Sequence, residues 1–418
     1  MVYLFTALTF LLLLLGWKYI VRLEPAGVFA LLWVFMGVAV LLLQEYIDLN
    51  FEGCTFVISG AILFVMGTIF SDYFYHPTPS GIRLELRGKR VVPLLVVLLV
   101  GAMVNPIYSI ILNGFSLRAL LDMREVLEMN KDIAVSRYSG HEVYSAVNQF
   151  FLIFSYAAPV IGGFCFRLVG RWAKVLCLVT LIPCTFIALT QSLKMGMIAS
   201  FILFFGAYVV SSYTYGLPVR LKGKVVLRYV MIAAGFILTL FVSMVFRTGE
   251  VSEKAVVEVF STLISYGVGH MHSVDVWYTS YQPTDLTWGA HTFYGISNLL
   301  GIAERVQGIY PEFMNIGKNG FFGISNTFTI FRPLTEDFGE AGAMVVMFVM
   351  GTLSNMSLKA VIAHRAVYFN QVVLVAIFAY LLWSFSASFY AYTTYLTMFA
   401  LVFVLLQVIQ RKVEESPC

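Results

Sequence analysis

Charge is what this chain has least of. Only 12% of its residues are Asp, Glu, Lys or Arg, against 60% hydrophobic, where a soluble globular domain carries about twice that charge. Mean hydropathy is +0.85. A soluble enzyme and a disordered chain are excluded, and no nucleic-acid partner is expected. Cysteine is sparse too. Cys54, Cys165, Cys177, Cys184 and Cys418 form no CxxC pair and show no metal-ligand spacing, so neither a disulfide framework nor a metal centre is expected, and no cofactor. Most fall inside apolar runs, where a free thiol behaves as a small hydrophobe. The first run follows Met1 directly, without a basic region before it or a small-residue cleavage site after it. It reads as a retained helix rather than a signal peptide.

What is present is apolar sequence in long blocks. Runs fall near 2–17, 26–43, 54–70, 91–112, 146–166, 172–190, 194–212, 226–246, 339–358, 367–386 and 389–409. Each is long enough to cross about 30 Å of hydrocarbon at 1.5 Å per residue. The fold class is therefore an all-α polytopic membrane protein of about eleven transmembrane helices, residues 1–418 forming one integral membrane domain, with the lipid bilayer as its surroundings.

Orientation follows from Lys and Arg. With the N-terminus outside, 17 of the 27 basic residues lie in cytoplasmic segments and 18 of the 23 acidic residues lie outside. The bias holds at every loop, which puts the C-terminus in the cytoplasm. No charge falls mid-span. A transporter driven by ions or protons usually carries ionisable groups near the midplane. That absence, and the lack of an internal repeat, points to chemistry at one membrane face.

Two outer loops carry the polar sequence: 113–145, and the much larger 247–338. In the first, Leu117, Leu120, Leu121, Val126 and Leu127 alternate with Arg118, Asp122, Arg124, Glu125 and Glu128, the pattern of a helix over Ser116–Asn130 lying in the interface. In the second, Ser252–Ser265 reads as another amphipathic helix. The rest is rich in Gly, Asn, Thr and aromatics and gives no secondary structure. A loop of this length in a tight bundle is more often functional than idle.

Candidate residues follow from chemistry. Ten Lys and Arg remain on the outer face, among them Lys194 and Arg247 at the mouths of spans and Arg305, Lys318 and Arg332 in the large loop. Singly, each reads as a snorkelling side chain or the partner of a surplus acid. As a set they suit phosphate oxygens at headgroup depth. Asp337 and Glu340 have the spacing of a capping box, which would start the ninth span at Asp337; a cap at the membrane surface can also help to shape a site. His270 and His272 lie two apart, so on a helix they share no face. No third ligand follows at a known spacing, which leaves a general base or a structural histidine. Trp277, Tyr278, Tyr281, Trp288, Phe293, Tyr294 and Tyr310 crowd 34 residues of the large loop. They suit membrane anchoring and sugar stacking equally.

The closing stretch, Asn326-Thr327 followed by Asp337-Phe338-Gly339-x-x-Gly342 and an apolar span with Gly351, resembles the oligosaccharide repeat-unit polymerases of bacterial surface polysaccharides, the Wzy type. The layout of spans and loops is similar over nearly the whole chain. The resemblance implies a fold like the multispanning lipid-sugar (GT-C-like) glycosyltransferases and a transferase on the outer face of the inner membrane. Its donor and acceptor would be undecaprenyl-diphosphate-linked oligosaccharides, and a flippase and chain-length regulator of the same pathway would be its partners. A hydroxyl of one repeat unit would attack the anomeric carbon of another, and lipid diphosphate would leave. Fixed cations can meet that leaving charge, so no metal is required. Lys194 matches a place where the family often has Arg, although Lys cannot make the bidentate contact. Arg247 matches the Arg at the mouth of the large loop.

On this reading Arg247, His270, His272 and Asp337 are the candidate catalytic residues. Lys194, Arg247, Arg305, Arg332, Asn326, Trp277 and Trp288 are candidates for holding diphosphate or glycan. The related O-antigen ligases carry a His just before the Asn of the closing motif. Here that place is Ser325, which favours polymerase over ligase and removes the family's most obvious base. A ligase and a lipid-linked glycan flippase remain the alternatives.

Overall fold

The computed structural model describes residues 1–138, 145–191, 193–217, 223–248, 252–282, 285–303, 310, 312–318 and 323–414. Fifteen α-helices occur among them: α1 (Val2–Arg22), α2 (Pro25–Leu43), α3 (Glu52–Phe74), α4 (Gly88–Leu112), α5 (Met123–Tyr138), α6 (Ala146–Cys165), α7 (Arg171–Val179), α8 (Ile182–Gln191), α9 (Lys194–Thr214), α10 (Gly223–Thr248), α11 (Glu253–Ser280), α12 (Tyr294–Leu299), α13 (Phe331–Ile362), α14 (Val367–Trp383) and α15 (Thr393–Ile409). Four short strands, β1 (Ile82–Leu86), β2 (Met314–Asn315), β3 (Ile324–Ser325) and β4 (Gln410–Glu414), complete it.

Among the described residues, eight helical stretches are long and apolar enough to cross a membrane: α1, α2, α3, α4, α6, the α7–α8 pair, α9 and α13. Val230–Phe246 within α10, α14 and α15 are shorter apolar helices. The chain is a multi-pass helical membrane protein. The α7–α8 pair is interrupted at Thr180–Leu181, where Pro183 cannot donate to the carbonyl of Val179 and the Thr180 hydroxyl bonds to the Cys177 carbonyl.

Helices α3 and α13 form the tightest contact in the bundle. A Cβ on Gly67 would collide with the Phe348 carbonyl, and one on Gly351 with the Phe64 carbonyl. Only glycine lets two backbones approach this closely. Hydroxyls then bridge them. Thr68 donates to Gly351 O at 3.2 Å, and Thr352 to Gly67 O at 3.1 Å. A second close pair, Gly163 against the Phe204 carbonyl, joins α6 to α9.

The two ends of the bundle differ. At one, Asp72 pairs with Lys18 at 3.2 Å and Lys359 at 3.1 Å, and Arg365 bonds to Thr78 O. β1 pairs antiparallel with β4, placing Leu84 opposite Lys412. This basic face holds the loops rich in Lys and Arg. The opposite, loop face carries α11, α12, the β2–β3 pair and the first two turns of α13.

Three local expectations change. The 116–130 segment is not one helix: a 3-10 turn over Leu117–Leu121 ends at Asp122, whose carboxylate accepts from Arg124 N at 2.8 Å and starts α5. α11 runs on to Ser280 rather than ending at Ser265. Its later turns lose their polar face because α2 and α3 cover them, burying Met271, Val274 and Asp275. The capping box fails as well. α13 is broken at Gly339, where the spanning part begins, and Asp337 lies in the short helical segment Phe331–Phe338 before the break, its carboxylate bonded to Thr287, His291 and Thr292 rather than to the first turn of the span.

Replacing Gly351 with Leu should destabilise the detergent-solubilised protein by about 1–3 kcal/mol through overpacking. Gly235→Leu, at a helical position with nothing within 4 Å, should leave the melting temperature nearly unchanged.

Candidate functional site at the loop face

The site begins with a break in α13. Gly339 has φ 72° and ψ 170°, a conformation open to glycine and costly for any residue with a Cβ. The segment Phe331–Phe338 is thereby turned away from the span that follows. Its anchor is the Phe331 ring, fully buried and packed on Gly60 of α3.

Asp337, also fully buried, ties this segment to the large loop. Its Oδ1 accepts from the Thr287 hydroxyl at 2.6 Å and from His291 N at 2.9 Å. Its Oδ2 accepts from Thr292 N at 2.7 Å and from the Thr292 hydroxyl at 2.6 Å. Four donors from six consecutive residues satisfy a charge that would otherwise be expensive to bury. This is where the capping reading went wrong: the carboxylate serves another segment's donors, not the first turn of its own helix. Trp288 N and Thr287 N add bonds to the carbonyls of Asp337 and Glu336.

One turn back, Arg332 is 7% exposed at its side chain and lies among aromatic rings. Its guanidinium carbon is 3.7 Å from the Tyr310 ring centre, 4.2 Å from Phe328 and 5.5 Å from Trp277. Nε donates to Glu336 at 2.9 Å and Nη2 to Glu312 at 3.2 Å. Nη1 is buried and makes no hydrogen bond in the described structure. Glu336 also accepts from the Tyr310 hydroxyl at 2.7 Å, and burial with that acidic neighbour pushes the Tyr310 phenol well above its usual range. His291 closes the cluster. Its Nδ1 is 2.9 Å from the Thr287 hydroxyl, its Nε2 is 3.9 Å from Glu336, and its ring stacks on Tyr310.

The other candidates are distributed more widely. His270 and His272 both lie on α11 but inside the protein, 4% and 5% exposed. His270 packs edge-on against Phe385, and burial lowers its pKa to about 4. Burial lowers His272 as well, against the opposing pull of Asp275 and Asp48. Between them and Trp277, Asp275 accepts from the backbone N–H groups of Asn50, Phe51 and Cys54, so it caps the N-terminus of α3. Trp277 is buried, its ring 4.8 Å from that of Tyr281 and tilted to it, whereas Trp288 is 77% exposed. Asn326 is half-buried in the strap between β3 and α13.

Lys194 opens α9 and is buried. Arg247 falls in the last turn of α10; its side chain lies outside the described residues, as does the whole of Arg305. The helices carrying Lys194 and Arg247 meet, however. Ala188, Met197 and Leu240 pack together, and the Ser243 hydroxyl bonds to the Ala188 carbonyl. The Asp337 cluster stands across an aromatic row from that corner. Tyr156 packs on Tyr395, which stacks on Phe389. Tyr390 stacks on Phe293, beside Thr292.

The residues that build this site were largely missed by sequence reasoning. Thr287, His291, Thr292 and Glu336 sit in no recognised motif, and His291 is 46 positions from the carboxylate that organises it. The available signal was the density of hydrogen-bonding residues in 285–292, which composition alone cannot pair with Asp337. No protein-family model, curated protein or solved structure matches the chain.

The buried histidines set an acid limit on stability. Because the folded state holds His270 near 4 and the unfolded chain near 6.5, protons bind the unfolded state first. Its stabilising contribution is full above pH 6.5 and is lost as pH falls towards 4, an effect on the order of 3 kcal/mol at most. Melting curves in detergent from pH 7.5 to 4.5 should show that loss, and His270→Phe should flatten it.

Proposed function

We propose that this chain is a glycosyltransferase of the bacterial inner membrane that joins undecaprenyl-diphosphate-linked oligosaccharide repeat units into a surface polysaccharide. In this reading the bundle crosses the membrane eleven times, the three shorter apolar helices included, and the loop face is the outer one. The observation that carries the proposal is the Asp337 cradle. It joins the closing motif to the large loop and sets a buried arginine, two carboxylates, a histidine and several aromatic rings together at one membrane face. That is the composition of a site for a charged, sugar-bearing lipid rather than of a path through the bilayer.

Lys194 and Arg247, on helices that pack together, hold the departing diphosphate, and Arg305 is a further candidate cation by its sequence position in the large loop. Arg332 is a second cation. Its Nη1 remains able to donate to a phosphate or glycan oxygen while Nε and Nη2 stay on Glu336 and Glu312. The exposed Trp288 offers a ring face to sugars, while the buried Trp277 and Tyr310 rings hold Arg332 in place, and Asn326 lies within the strap leading to them. The reaction needs no metal, because fixed positive charge can stabilise the leaving diphosphate.

Deleting the gene should leave single repeat units on the lipid anchor, read as a one-repeat band on a polysaccharide gel. Arg247→Ala should reproduce that band, and Arg332→Ala should cut chain growth by about 10²–10³-fold, the range for removing one group that meets transition-state charge. Full-length polymer in the Arg247→Ala strain would count against this site. Finished polymer stranded on its carrier in the deletion strain would identify a ligase, and lipid-linked repeats confined to the cytoplasmic leaflet a flippase.

A further inference from the structure

The reaction proposed above requires a group to take the acceptor's proton, and the two histidines that sequence singled out are closed off inside α11. We propose that His291 is that group, acting through Nε2, with Thr287 and Asp337 positioning it. The inference rests on the glycosyltransferase reading and adds to it the identity of the base.

The argument runs through one hydroxyl. Thr287 Oγ1 has a single hydrogen, and the nearest acceptor is the buried Asp337 Oδ1 at 2.6 Å. With that hydrogen committed, its lone pair faces His291 Nδ1 at 2.9 Å, which must therefore carry the N–H. The tautomer is set: Nδ1 is protonated and Nε2 presents a lone pair. The direct Asp337–His291 separation, 3.4 Å, is long for a good hydrogen bond but short for charge. The histidine's own backbone N–H is tied to the same carboxylate, so ring and backbone are held from one point.

The surroundings favour a ring that can accept a proton. Asp337 and Glu336 face it from α13, Glu336 at 3.9 Å from Nε2. Arg332 opposes them from the same helix, and the Tyr310 ring lies nearly parallel to the imidazole with centroids 6.3 Å apart. The balance raises the His291 pKa, through Asp337 first and Glu336 further, against burial and Arg332. The ring is 31% exposed, unlike His270 and His272. In the step itself, the acceptor O–H bond breaks and its proton goes to Nε2. The acceptor oxygen forms a bond to the donor's anomeric carbon. The bond between the anomeric carbon and the bridging oxygen breaks, and its electron pair leaves on that oxygen as part of the lipid diphosphate. The proton then passes from the imidazolium to water.

The test is turnover of a defined undecaprenyl-diphosphate-linked repeat by the full-length protein in detergent or proteoliposomes. Wild type should extend the repeat with a rate that rises with pH through an ionisation above the usual histidine value. His291→Ala should lose about 10²–10⁴-fold in turnover, with rescue by added imidazole that tracks the basicity of the imidazole used. Thr287→Val should lower turnover with little change in KM, and Thr287→Ser should restore it. An active His291→Ala protein with an unchanged acid limb would overturn the base assignment and leave the function standing. So would an inactive one that no imidazole rescues, since that is the signature of a structural role. A wild-type protein that binds the repeat but never extends it would overturn the function, and this inference with it.

Discussion

The contact on which the rest of this molecule hangs is the backbone approach of α3 to α13. Gly53, Gly60 and Gly67 recur every seven residues along α3, and each meets a partner that a side chain would displace. Gly53 meets the backbone at Asp275, Gly60 the Phe331 ring, and Gly67 the Phe348 carbonyl. In a lipid environment, helix association draws little from hydrophobic transfer, so close van der Waals contact and interhelical hydrogen bonds must supply it. One glycine stripe therefore fixes three things at once: the crossing of α3 and α13, the seat of Phe331 and the position of α11.

From that contact the site follows. Phe331 is held on Gly60, and the break at Gly339 frees the turns between them to leave the line of the span. Asp337 is then buried where only donors from elsewhere can satisfy it. The large loop answers with Thr287, His291 and Thr292. Asp275 performs the matching task on the other side, satisfying the N–H groups that open α3. Two buried carboxylates thus bind the loop face to the bundle. Neither is a spare charge, which explains why a chain so poor in charge keeps them.

Sequence reasoning reached the architecture because apolar runs report directly on how long a segment can remain in hydrocarbon. Each of the eight helices long and apolar enough to span, and each of the three shorter ones, coincides with a run readable beforehand. It also marked 247–338 as the long polar segment, the one that contains Thr287, His291, Thr292 and Asp337. It failed inside that stretch. α11 was cut short because a helix covered on several sides loses the polar face that periodicity needs. Asp337 was assigned to a helix start because spacing sees only neighbours in sequence. His291 was passed over because nothing adjacent to it signals a role.

The chain by itself determined that it is a helical membrane protein and which segments carry its polar chemistry, since hydropathy and charge are local properties summed along the backbone. Only the tertiary structure decided which carboxylate meets which histidine. The Thr287–His291–Asp337 group joins residues some 50 positions apart, and their meeting depends on a glycine break, a ring seated on α3 and a loop folded back over both. Those are relations between distant segments, and no window along the sequence contains them.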